Sequence, residues 1–459
     1  MTALAPDSST APGLRNLDGV IVHLAGDPGF DAARLPWACN VDQTPVAVVE
    51  PRSVAEVVRV VHAAREAGLR IMPQATGHHA GALTPDIWQD TVLMRLGRLD
   101  SVTIDPEAGL AVIGPGALWQ HVLDAAAPHG FTANHGSAPD VAAIGFLLGG
   151  GIGWYSRRYG LGCNQLRSAQ VVTASGDVVR CSDSENADLF WAVRGGGGSF
   201  GIVTSVELQL LPHVDVPAGM LAWDRSCAAE VVPAWVRWTG TVPDTATTSL
   251  RLLTVPPLPE VPEPVRGREL VVIDGAILED DRRAAELLEP LRALSPEIDT
   301  FARIPAPAVT RIHLDPEGPT PSVSDHALLT HLDDAAVEAF ITAVPSGSPL
   351  LAAELRHLGG ALGEAPVGAG AVGSLAGQYA LFTAAIAATP EMAAAGVEAG
   401  SVLVEAMQPW STGRRFANFT NRPAPSESLY PVASWERLGA IRDQMDPDRL
   451  LVLSHPIGS

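Results

Sequence analysis

Leu148-Gly149-Gly150-Gly151-Ile152-Gly153-Trp154 sets four glycines within five positions, between bulky apolar residues. Glycine gives up more backbone freedom than any other residue on folding, so this spelling is disfavoured in a regular helix or strand. Its use is close approach: main chain pressed against a flat ligand, or against a neighbouring element at a tight helix–strand junction. Just upstream lie His135-Gly136-Ser137-Ala138-Pro139 and the small residues Ala142, Ala143 and Gly145. A second small-residue loop, Gln74-Ala75-Thr76-Gly77-His78-His79-Ala80-Gly81, follows the apolar strand pattern Leu69–Pro73. Loops of this kind present N–H groups to negatively charged oxygens. A third, Gly196-Gly197-Gly198-Ser199-Phe200-Gly201, spells G-x-G-x-x-G. A dinucleotide fingerprint of that spelling follows a strand and opens a helix. Here a helical pattern precedes the loop and the alternating strand pattern Ile202–Leu211 follows it, so a Rossmann reading fails on context.

Around these loops the first half alternates strand and helix signals. The second half changes texture, with helices expected at Asp281–Ala293 and Asp334–Ala343. Strands are expected there at Leu250–Val255, Glu269–Ala276 and Leu351–Leu358. The expected class is α+β, with an antiparallel sheet covered by helices on one face. Boundaries near 212 and 405 divide the chain into 1–212, 213–405 and a closing segment 406–459.

Lys and Arg number 30 against 51 Asp and Glu, a formal charge of −21, which argues against nucleic acid or an anionic membrane surface as partner. The sequence holds no run of about 18 apolar residues, and Met1–Leu14 lacks a basic end followed by an apolar stretch. Residues 1–12 read as a disordered start. Four cysteines (Cys39, Cys163, Cys181, Cys227) at no metal-like spacing fit reduced thiols and a cytoplasmic location. Adjacent His78 and His79 lack a helical partner ligand, and His313, His331, His357 and His455 are scattered, so no metal site is expected. No G-x-S-x-G elbow is present. The sequence is silent on oligomeric state.

From Pro51 to Thr204 the three loops, in this order, resemble the FAD-linked oxidases of the vanillyl-alcohol oxidase type. The resemblance is to their berberine-bridge-enzyme-like and 6-hydroxy-D-nicotine oxidase branches. It is carried by Pro51-Arg52-Ser53-Val54-Ala55-Glu56-Val57, Thr76-Gly77-His78-His79, Leu148–Trp154, Arg158-Tyr159-Gly160-Leu161, Leu189–Gly195 and Gly201-Ile202-Val203-Thr204. Arg415-Phe416-Ala417-Asn418-Phe419 and Met445–Leu450 are similar to the family's closing segment. The resemblance implies a two-lobed fold in which 1–212 with 406–459 binds FAD and 213–405 roofs the flavin ring over the substrate.

The same resemblance implies FAD held covalently through His78, with His79 as the competing assignment because it stands where relatives carry serine. Ala138 occupies the place where many relatives carry a second attachment, a cysteine, so a single bond is expected. Cofactor contacts are implied for Ala75, Thr76, Gly77, His78, His79 and Gly81 of the first loop. In the second they are implied for Gly136, Ser137, Ala138, Ala142, Gly145, Gly149, Gly150, Ile152 and Gly153. Gly201, Ile202, Val203 and Asn418 complete the set. Ala142 and Ala143 would leave room for O2.

A flavin oxidase also needs a group to handle the substrate's proton. His135 borders the second loop. Glu354 and Arg356 share one face of their strand, which either roofs the flavin or meets solvent. Tyr379 is a phenol donor or a packed aromatic, and Asn418 sits near the flavin edge by resemblance. The expected reaction removes hydride from a C–H next to an alcohol or amine of a small molecule, with secondary metabolism as the expected setting and O2 as acceptor yielding H2O2. The alternatives are a flavin dehydrogenase using another acceptor and a flavin-binding protein without turnover.

Overall fold

The computed structural model describes residues 13–15, 17–259, 261 and 263–458. The expected disordered start at 1–12 lies outside the described residues. A first sheet is built from β1 (Ile21–Leu24), β2 (Ala47–Glu50), β3 (Arg70–Gln74) and β4 (Thr91–Arg95), in the order β1-β2-β4-β3. β4 runs parallel to both β2 and β3. The crossover from β2 to β3 is the helix Val54–Glu66, whose first turn is capped by Ser53 Oγ accepting from Glu56 N at 3.3 Å. Val57, Val60, Val61 and Ala64 recur at helical spacing and are fully buried. Gly68, at φ +67°, ends the turn and sends the chain into β3. The first small-residue loop therefore leaves the carboxyl end of a parallel strand, the side on which open α/β sheets bind ligands.

A second, antiparallel sheet comprises β5 (Val102–Asp105), β6 (Leu110–Ile113), β7 (Leu166–Val172), β8 (Val178–Ser182) and β9 (Ile202–Gln209), in the order β5-β6-β9-β7-β8. The second glycine loop lies before β7. The third is preceded by the helix Ala187–Val193 and followed by β9, the context that excludes a dinucleotide fingerprint.

The largest sheet contains β10 (Asp215–Asp224), β11 (Ala246–Thr254), β12 (Glu269–Ile277), β13 (Ile298–Asp299), β14 (Ala302–Pro305), β15 (Ser322–Leu329), β16 (Ala352–His357) and β17 (Tyr379–Ile386). Its order is β13-β10-β12-β11-β16-β17-β15, with β14 also on β10. The helices Ala228–Thr239, Asp281–Arg292, Asp334–Ala343 and Pro390–Ala406 supply apolar residues to one core with Leu250, Ile273, Leu355 and Leu381. The alternate residues of the same strands carry the polar groups, and these meet the other lobe.

After Ala406 the chain goes back to the first half. Phe416, Tyr430 and Leu438 share a core with the second sheet, while Leu450 and Leu451 share one with the first. Ile71 N donates to Leu450 O at 2.8 Å and Val452 N to Ile71 O at 2.9 Å, so the closing segment lines up beside β3.

Candidate flavin and substrate site

Gly77 has φ +86°, and a Cβ there would stand 2.7 Å from Pro36 Cβ, so only glycine lets the chain pass under the Pro36-Trp37 turn. Trp37 N donates to Thr76 O at 2.8 Å. The Trp37 indole stacks on the His78 imidazole at 4.2 Å between centroids and 17° between planes. His78 Nδ1 lies 2.7 Å from Thr76 Oγ1, whereas Nε2 has no hydrogen-bond partner. Burial, partly opposed by Asp140, drives the His78 pKa down to about 4, which leaves the ring neutral and nucleophilic at ordinary pH. His79 differs in connection: its Nε2 donates to Asn418 O at 2.6 Å.

The two loops expected to cradle FAD hold unspent donors. Among the described residues, the five main-chain N–H groups of Ala75–His79 donate to no protein acceptor, and neither do those of Gly136, Ser137, Ala138, Asp140, Val141 and Ala142. Asp140 ties the loops together: it accepts from Trp37 Nε1 at 2.7 Å and Gly318 N at 2.8 Å, and its Oδ1 is 3.9 Å from His78 Nε2. Buried main-chain donors are costly when unpaired, so two neighbouring strings of free N–H groups suit an elongated polyanion. With an unpartnered neutral imidazole at their junction, the residues present fit FAD.

Not every expected contact is of this kind. A Cβ at Gly149 would lie 2.6 Å from Asn418 Nδ2, at Gly150 2.9 Å from Phe416, and at Gly153 2.4 Å from His135 O. At these glycines the close neighbour is the protein itself, the tight-junction reading of the run, and Ile152 is a core residue beside them. A Cβ at Gly201 would lie 2.3 Å from Val171 Cγ1, and Ile202 and Val203 pair with Val172 and Val171 in the second sheet. Ala142 and Ala143 are buried, and their main chain runs beside the segment 117–119. Gly145 is exposed and has open space where a Cβ would stand. Gly81 N donates to Asn421 Oδ1 at 3.1 Å.

Asn418 acts as a clamp: Oδ1 accepts from Gly151 N at 3.0 Å and Nδ2 donates to Phe146 O at 3.1 Å. Asn418→Ala is expected to lower unfolding free energy by about 1–3 kcal/mol in a urea titration, through two main-chain groups left unpaired.

The roof contributes charge. Ser249 sits opposite both Asp274 and Arg356, and Arg251 opposite Glu354, so three strands present these five side chains on one face. Asp274 is fully buried and accepts from Ser249 Oγ at 2.6 Å, from Arg251 Nη2, and from His313 Nδ1 at 2.9 Å. His313 Nε2 stands 3.6 Å from Glu354 Oε2 and 3.9 Å from Asp315 Oδ1. Burial and Arg251 oppose protonation of His313, but Asp274, Asp315 and Glu354 outweigh them and push its pKa up to about 9. Burial would raise the Glu354 pKa, yet Arg356 and His313 hold the carboxyl far below its usual range. Arg356 Nε donates to Glu354 Oε1 at 2.7 Å, and its guanidinium lies 5.7 Å from the Trp154 ring and 5.5 Å from that of Phe419. Ser137 Oγ donates to Asp315 Oδ2 at 2.7 Å. The charged face thus meets the second glycine loop and the Asn418 segment, and it does not meet bulk solvent.

Two expected proton-handling residues are elsewhere. Tyr379 shares the helix-covered face with Leu355 and Leu381, and its hydroxyl is 2.6 Å from Thr239 Oγ1. Period two along β17 sends Phe382, not Tyr379, towards Phe419. Tyr379→Phe is expected to leave turnover unchanged while costing about 1 kcal/mol in stability from the lost hydroxyl bond, read by thermal denaturation. His135 is fully buried against Tyr155 and Trp119, donates Nδ1–H to Gly136 O at 2.7 Å, and is driven by burial to a pKa of about 4. Packing on both sides keeps its ring from the cleft.

Trp37, Asp140, Asp274, His313 and Asp315 escaped the reading of the sequence. One signal was available: Leu270-Val271-Val272-Ile273-Asp274-Gly275-Ala276-Ile277 holds a lone acid in an apolar run, the mark of a buried, paired carboxylate. His313 lies in a loop and carried none.

Known proteins resemble the chain in part of its sequence and in its fold. Residues 45–182 match an FAD binding domain. The chain is 36% identical over 214 residues to (R)-6-hydroxynicotine oxidase of Paenarthrobacter nicotinovorans, a match covering 46% of each protein. The chain thus spans about half the length of the curated relatives it matches. Its fold superposes on BBE-like 1 of Physcomitrella patens with a TM-score of 0.84 at 21% identity, over 98% of this chain and 99% of that one. It also superposes on the glucooligosaccharide oxidase of Acremonium strictum, described with a 6-S-cysteinyl, 8α-N1-histidyl FAD, with a TM-score of 0.79 at 21% identity, covering 95% and 97%.

Proposed function

We propose that the chain is an FAD-dependent oxidase of a small molecule, akin to the FAD-linked flavoproteins of the vanillyl-alcohol oxidase type that it resembles. The reaction is removal of hydride from a C–H next to an alcohol or amine. The observation that carries this reading is the pair of unspent N–H strings meeting at an unpartnered, neutral His78 beneath a buried charged roof. Bound FAD would supply the two-electron acceptor and return the electrons to O2 as hydrogen peroxide.

The chain's own residues bind, orient and exclude. The N–H groups of 75–79 and 136–142 would hold the pyrophosphate and ring, and Trp37 fixes the plane of the His78 imidazole. The free ring nitrogen of His78 would form the bond to the flavin 8α carbon. With Ala138 at the place of the second attachment, that bond is single. This differs from the doubly attached FAD named for the glucooligosaccharide oxidase.

Glu354 and His313 have poor pKa values for a base at neutral pH, because one stays ionised and the other protonated. Their role here is to orient a polar substrate through charge, and the substrate's own proton leaves to solvent. The test is direct. Purified protein should be yellow, its flavin should bleach anaerobically with an accepted substrate, and in air it should form peroxide in step with substrate loss. Dye reduction without peroxide would make it a dehydrogenase, and a flavin that no substrate bleaches would remove the enzyme reading.

A further inference from the structure

Arginines on the roof differ in how their donors are spent. Arg251 uses both terminal amino groups, one on Asp274 and one on His313 O. Arg356 is only 7% exposed, yet among the described residues it makes a single hydrogen bond, from Nε to Glu354 Oε1. Its Nη1 and Nη2 donate to no protein acceptor and are not among the sealed atoms, so they face the space between the lobes. The Trp154 and Phe419 rings lie 5.7 and 5.5 Å from the guanidinium and favour its charge. Glu354 fixes the opposite edge. What remains is a rigid, charged, two-donor fork whose geometry matches two oxygens of one carboxylate.

We infer that the substrate carries a carboxylate, and that Arg356 is the residue that binds it, with both terminal amino groups donating to its two oxygens. The neighbouring acids leave this role open to an incoming anion. Asp274 is spent on Ser249, Arg251 and His313, and Asp315 accepts from Ser137. Glu354 faces Arg356 Nε and His313, so its charge is matched on both sides. The position suits recognition, since Trp154 directly follows Gly153 and Phe419 directly follows the Asn418 clamp. A carboxylate on the fork lies on the loop side of the roof. The inference rests on the oxidase reading for calling this anion a substrate, and it departs from the sugar named for the glucooligosaccharide oxidase.

The experiment is a calorimetric titration of the purified holoprotein at neutral pH with acetate and benzoate, each beside its neutral counterpart, acetamide or benzamide. At least one carboxylate is expected to bind, with its amide about tenfold weaker or more. Arg356→Gln should weaken the carboxylate by about ten- to a hundredfold and leave amide binding as it was. Arg356→Lys keeps the charge without the fork and should fall between them, and it decides the matter if the glutamine variant does not fold. Equal binding of acid and amide, no binding of any probe, or an undiminished carboxylate affinity in the variant would each overturn the inference. Colour is recorded on the same samples: a colourless protein that still prefers the carboxylate sinks the flavin reading and leaves the fork standing.

Discussion

Protein carrying His78→Ala is expected to release all of its flavin on acid precipitation, whereas the parent chain keeps the yellow colour in the pellet. The expectation follows from three local facts. The His78 ring is held flat against Trp37, one of its nitrogens is unpartnered, and burial keeps it neutral. A protonated imidazole has no lone pair to give, so a pKa of about 4 is what attachment at neutral pH requires. His79→Ala is the matched control. Its Nε2 is engaged by Asn418 O, and its removal should loosen the loop while leaving the flavin attached. Flavin bound without a covalent link should persist in His78→Ala under native conditions, because the N–H strings are main chain and survive the substitution. Absorbance of the denatured proteins separates the cases, and a His78→Ala pellet that stays yellow would move the tether to His79.

The second large effect concerns Asp274. It is the common acceptor of Ser249, Arg251 and His313 and has no access to water. Asp274→Ala leaves two buried cations without their counter-ion, and a loss of about 3–5 kcal/mol in unfolding free energy is expected. A pH dependence follows from the same cluster. The His313 pKa rises on folding from 6.5 to about 9. A group raised in this way contributes stability that is complete below its unfolded pKa and fades as pH climbs through the folded one. Between roughly pH 6.5 and 9 the parent protein should therefore lose on the order of 3 kcal/mol from this source. In Asp274→Asn the carboxylate that favours the protonated ring is gone, so the decline over that window should flatten. Urea titrations at several pH values measure both slopes. A parent profile that is flat across this window would mean that His313 stays neutral in the folded protein.

The glycine loops were legible because each owes its composition to a local steric demand. Gly77 needs a left-handed φ beneath Pro36, and Gly153 has carbonyl and amide oxygens where a side chain would go. The strand-after-loop order that ruled out a dinucleotide fingerprint at Gly196–Gly201 was equally local. Alternation in β16 put Glu354 and Arg356 on one face, but the sequence left open whether solvent or protein lay opposite. Tyr379 misled for the same reason: period two separates the faces of β17 and says nothing about which face is covered by helices. His135 misled because adjacency to a loop in sequence is not exposure to its cleft.

Sequence alone determined the small-residue loops, the class of cofactor they resemble and the division into two textures, since these depend on neighbours a few residues away. Tertiary structure alone decided the site's electrostatics. Asp274, His313 and Glu354 are separated by about 40 residues from one to the next, and only strand register and a loop crossing bring their charges within hydrogen-bonding or ion-pair distance. Charge acts through space and is amplified where water is excluded, so its effect could be read only once the two lobes had closed over it.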